Sequence, residues 1–88
     1  MSTRNVRIPG DLANAAYQAG WDWAERRYVD ATAEERARPC PLSEDQARGI
    51  PIRWTGRLDE DKSAVVAHFM HEAAHQRWRE CQHREQPS

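Results

Sequence analysis

Residues 11–28, Asp-Leu-Ala-Asn-Ala-Ala-Tyr-Gln-Ala-Gly-Trp-Asp-Trp-Ala-Glu-Arg-Arg-Tyr, decide the fold. Leu12, Ala16, Ala19 and Trp23 recur at helical spacing and form one apolar stripe. Tyr17, Trp21, Ala24 and Tyr28 form a second. Two stripes on one long helix predict packing against more than one neighbour. Asp11 suits the N-cap, because its carboxylate can accept from the free N–H groups of the first turn. Gly20 weakens the middle of the helix by about 1 kcal/mol relative to alanine, so it marks a close approach or a bend.

On the N-terminal side, residues 3–9 read Thr-Arg-Asn-Val-Arg-Ile-Pro. Alternation puts Val6 and Ile8 on one face of a short strand, with Thr3, Asn5 and Arg7 on the other. Pro9 ends it for want of a backbone donor.

On the C-terminal side, the chain from Asp30 to Asp59 is punctuated. Thr32 with Glu35, and Ser43 with Gln46, have the spacing of capping boxes and predict two short helical pieces. Pro39-Cys40-Pro41 is a stiff extended link. Ile50, Ile52 and Trp54 alternate with Pro51 and Arg53, which reads as a possible second short strand closed by Thr55-Gly56. Whether it pairs with residues 4–8 is open at this level. From Asp59 a second long helix runs to about Arg84. Asp59, Glu60 and Asp61 suit the positive end of its dipole. Val65, Val66, Phe69, Met70, Ala73, Ala74 and Trp78 supply its buried side.

These elements make one small helical domain over residues 1–88, with residues 1–10 as a strand or arm and a polar tail fraying from residue 83. The expected class is mainly α, the two long helices packing as an antiparallel pair with the middle segment covering them. Thirteen Lys and Arg oppose fourteen Asp and Glu, and a net charge of -1 argues against sequence-independent coating of nucleic acid. No apolar run approaches a membrane span. Two cysteines are too few for a disulfide framework, and residues 1–5 lack a signal-peptide core, so a cytoplasmic setting with free thiols is expected.

The opening Asn5-Val6-Arg7-Ile8-Pro9, followed by a helix at Asp11, resembles the start of the ribbon-helix-helix DNA-binding proteins of the Arc and MetJ type. Lys62-Ser63-Ala64-Val65-Val66-Ala67-His68-Phe69 has the texture of that family's second helix. The resemblance implies a homodimer in which each subunit lends one strand to a ribbon lying in the DNA major groove. Thr3, Asn5 and Arg7 would then face bases, where arginine can donate twice to guanine and asparagine can pair twice with adenine.

His71-Glu72-Ala73-Ala74-His75 is a literal HExxH string, in which two histidines of a zinc peptidase bind metal and the glutamate activates water. A catalytic zinc needs three protein ligands, so Cys40 or Cys81 would have to join His71 and His75. A polar stripe of half-exposed histidines, with no metal, is the expected outcome. No Gly-rich phosphate loop, nucleophile elbow or Ser-His-Asp order is present in the sequence. Trp21, Trp23, Trp54 and Trp78 are a heavy aromatic load. Trp21 and Trp23 point to different faces, so one is core and the other is free for an interface.

The sequence therefore predicts a small regulatory binding protein without enzymatic activity or cofactor. The leading expectation is a homodimeric DNA-binding repressor using Thr3, Asn5 and Arg7. The alternative is a protein-binding adaptor or inhibitor using Trp21 and Trp54. A zinc-binding HExxH protein is a distant third.

Overall fold

The computed structural model describes residues 8–85. It contains four helices: α1 (Gly10–Asp30), α2 (Ala33–Arg36), α3 (Glu44–Ala47) and α4 (Glu60–Glu85). Pro9 precedes α1, and its carbonyl accepts from Ala13 N–H at 3.0 Å. The start therefore falls one residue before Asp11, which sits in the first turn against the dipole instead of capping. Both capping boxes form. Thr32 accepts from Glu35 N–H while the Glu35 carboxylate returns to Thr32 N–H, and Ser43 and Gln46 repeat the exchange. The hydrogen bond from Thr32 N–H, aided by the Arg27 guanidinium, holds the Glu35 carboxyl below its ordinary range. Asp59 caps α4, accepting from Lys62 N–H at 2.8 Å.

Among the described residues there is no strand. This corrects the expected strand at residues 50–54 and, at Ile8 and Pro9, the described end of the first, whose residues 3–7 lie outside the described residues. Of residues 3–9 only Ile8 and Pro9 are described, and they lie in irregular chain ahead of α1. Residues 50–54 also form no ladder. Pro51 has no N–H to give, and Trp54 N–H turns back onto Ile52 C=O at 3.0 Å. The alternation is still used, because Ile50, Ile52 and Trp54 lean on the helical core from one side. At the other end, α4 stays helical through Glu85, beyond the point where fraying was expected; residues 86–88 lie outside the described residues.

The buried line of α1 is Leu12, Ala16, Gly20, Ala24 and Tyr28, a strict four-residue repeat drawn from both expected stripes. Facing it on α4 are Val66, Ala67, Met70, Ala73, Ala74 and Trp78. Gly20 marks a close approach. A Cβ placed there would lie 2.2 Å from the Met70 carbonyl oxygen, so the two backbones touch.

The long helices run parallel, which corrects the expected antiparallel pairing. Gly20 meets Met70, and two turns further along both helices Tyr28 meets Trp78 edge-on, with ring centroids 4.9 Å apart. The segment between the helices travels back down α4. Gln82 Nε2 donates to the carbonyls of Arg36 and Arg38, both at 2.7 Å, and Trp78 Nε1 donates to Arg38 C=O at 2.8 Å. His75 Nε2 donates to Leu42 C=O at 3.0 Å, and the His68 ring reaches Glu44. A tight turn would force neighbouring helices antiparallel. Residues 31–59 can span a helix of 21 residues, about 30 Å at 1.5 Å per residue, and so return the chain to its starting end. Arg36 seals the reversal by donating to the carbonyls of Tyr28 and Val29 at the end of α1.

Candidate functional site

The residues singled out from the sequence fall into separate places. Thr3, Asn5 and Arg7 lie outside the described residues. Trp21 sits on the flank of α1 next to α4, stacked on Tyr17 with centroids 6.0 Å apart. The Arg77 guanidinium lies over the Trp21 ring at 5.0 Å and is itself held by Glu25 at 2.9 Å. Tyr17 donates to the Gln76 side chain. This row clasps α1 to α4, so Trp21 has two internal partners, Tyr17 and Arg77. Trp54 belongs to the connector and leans on the main core. Gly56 passes directly behind it, where an added Cβ would fall 2.7 Å from the indole nitrogen.

His71 and His75 lie side by side, with ring centroids 4.1 Å apart and planes tilted by 36°, and His75 is tied to the connector through Leu42. Glu72 turns away toward His68, 3.9 Å from its Nε2. Among the described residues, no three of His, Cys, Asp or Glu gather in a way that could hold a metal ion. Cys40 and Cys81 are free thiols, and both pack against the cluster of Tyr28, Ala31 and Trp78. Burial pushes the Cys40 thiol above its ordinary range, against an opposing hydrogen bond from the Leu42 backbone.

The feature that sequence reading missed lies on the other flank of α1. Ala15 and Ala19 leave space beside the helix, and Ile50, Pro51 and Arg53 form a far wall. Between them runs a groove of about 660 Å³. Trp23 lines it, half-buried, together with Asp22, Arg26, Arg27 and Asp30. Arg27 is paired with Glu35 at 2.6 Å. Arg26 and Arg53 are exposed and form no ion pair among the described residues. The available signal was the run Ala15, Ala19, Trp23 and Arg26, which shares one side of the helix: two small residues, then an aromatic, then a cation. Trp23 was instead grouped with the core stripe through Ala16.

Comparison with protein-family models, with curated proteins and with solved structures finds no match for this chain. Among the described residues no helix is long and apolar enough to cross a membrane.

Proposed function

We propose that this chain is a small non-enzymatic binding protein that docks a protein partner on the outer flank of α1. The observation that carries the reading is the groove itself. It brings a half-exposed Trp23 together with Ile50 and Pro51 and with two cations, Arg26 and Arg53, that have no acidic partner within the described residues. Tryptophan and arginine are the side chains most enriched at binding hot spots, and a concave apolar floor lets a partner exclude water around them. The adaptor expectation therefore rests best on Trp23, while Trp21 and Trp54 have structural work within the fold. A repressor using Thr3, Asn5 and Arg7 draws its support from the sequence pattern of residues 3–9 alone.

Site-specific photo-crosslinking tests the docking reading. A photoreactive phenylalanine analogue at position 53 in the producing cell should give one discrete adduct, and Trp23→Ala should remove it. The same analogue at the exposed position 79, on α4, is the control. Equal adducts from positions 53 and 79, insensitive to Trp23→Ala, would contradict the proposal.

A further inference from the structure

The outward stripe of α1 carries its own complement. Asp22 and Arg26 are both exposed and one helical turn apart, and neither is ion-paired among the described residues; the Asp22 carboxylate takes only the Gln18 amide, at 2.9 Å. Val29 follows on the same side and is 73% exposed, the most exposed large apolar side chain in the described structure. Half-buried Ala19, which is small enough to admit a neighbour, precedes them.

We infer that the partner seated on this flank is a second copy of the chain, with the two α1 helices crossing antiparallel about a two-fold axis level with Ala24. The inference rests on the docking reading above and names its occupant. A two-fold interface sets each residue against its symmetry counterpart, so one patch must complement itself. About that axis Asp22 faces Arg26 of the other copy, and Arg26 faces its Asp22. The same register sets Val29 against the small Ala19 and Gln18 against Asp30, each twice. Every contact is between residues already exposed or half-buried on this flank. Surface ion pairs contribute little attraction by themselves. Their part here is to fix the register, because a slipped pairing brings like charges together. Covering Val29 and the neighbouring alanines supplies the apolar contact.

Light scattering at about 100 µM, a concentration that fills dimers of micromolar affinity, should give twice the chain mass. Asp22→Arg alone and Arg26→Asp alone should each run as monomers, since either change opposes like charges at both contacts. An equimolar mixture of the two variants should recover the dimer mass, because every contact again joins opposite charges. Both positions are exposed, so unchanged helical circular dichroism shows that the fold is intact. A monomeric wild type, or variants that dimerise as well as the wild type, would overturn the inference. A monomer that still crosslinks from position 53 sinks self-pairing alone, and a monomer with no crosslink sinks the docking reading too.

Discussion

Trp78→Ala is expected to cost about 3–5 kcal/mol of folding stability, the range for deleting a fully buried large aromatic. A chain of this length holds roughly 4–13 kcal/mol in total, so the change removes between about a quarter and all of it. Trp78 is 1% exposed and joins three parts of the molecule. Its ring meets Tyr28 near the end of α1, its Nε1–H holds Arg38 C=O in the connector, and its own helix is α4. Removing it leaves a hole lined by Tyr28, Ala31, Cys40 and Cys81, on three separate segments that cannot all close in. Trp78→Phe is the milder change. It keeps an aromatic against Tyr28 but loses the N–H donor, for about 1 kcal/mol, and part of the buried ring volume, for about 1 kcal/mol more. Arg38 C=O is not orphaned, because Gln82 still donates to it. Guanidinium unfolding of both variants reads the difference, and equal losses would contradict this view of the site.

Gly20→Ala has the second largest expected effect, and its sign is the informative part. In an exposed helix the change would gain about 1 kcal/mol of helix propensity. Here the new methyl carbon would lie 2.2 Å from Met70 O and 2.8 Å from Met70 C and Cα. A side chain could swing away, but the backbone of α4 cannot. The helices must part, which loosens Ala16 and Ala24 against Met70 and Ala74 as well. The net loss should be roughly 3 kcal/mol, at the upper end for overpacked cores. Adding Met70→Ala should not rescue it, since the obstruction is main chain. Gly10→Ala is the matched control, with nothing within 4 Å of its Cβ, and should be neutral or gain a few tenths of a kcal/mol. Thermal melts compare the three variants, and a stabilised Gly20→Ala would show that the helices do not touch there.

How much of this was readable in the sequence follows from the range of each interaction. The capping boxes at Thr32 and Ser43 span three residues, so spacing alone reveals them. The long helices were readable from periodicity, although the buried line through Gly20 mixes the two stripes. Their parallel pairing was not readable, because it depends on where residues 31–59 lie, and that is set by Gln82, Trp78 and His75 reaching main-chain carbonyls far away in sequence. Alternation at residues 50–54 suggested a strand, but a single extended segment laid on a helical core has the same pattern. A ladder also needs a neighbour. The HExxH string put two imidazoles together, as its spacing requires, while Glu72, one position past His71, faces His68. The groove was hidden because Trp23 lies at the border between the buried and open sides of α1.

The groove and the clasp at Trp21 both depend on α1 and α4 running in the same direction. Distances between paired spin labels test this directly, in a chain with Cys40 and Cys81 replaced by serine and diluted with unlabelled protein. Labels at Val29 and Arg79, both exposed, should lie close together near the matching ends of the helices. Labels at Asn14 and Arg79 should be farther apart, by an axial offset of about 22 Å at 1.5 Å per residue. The reverse order, with Asn14 near Arg79 and Val29 distant, would mean an antiparallel pair and would contradict the account.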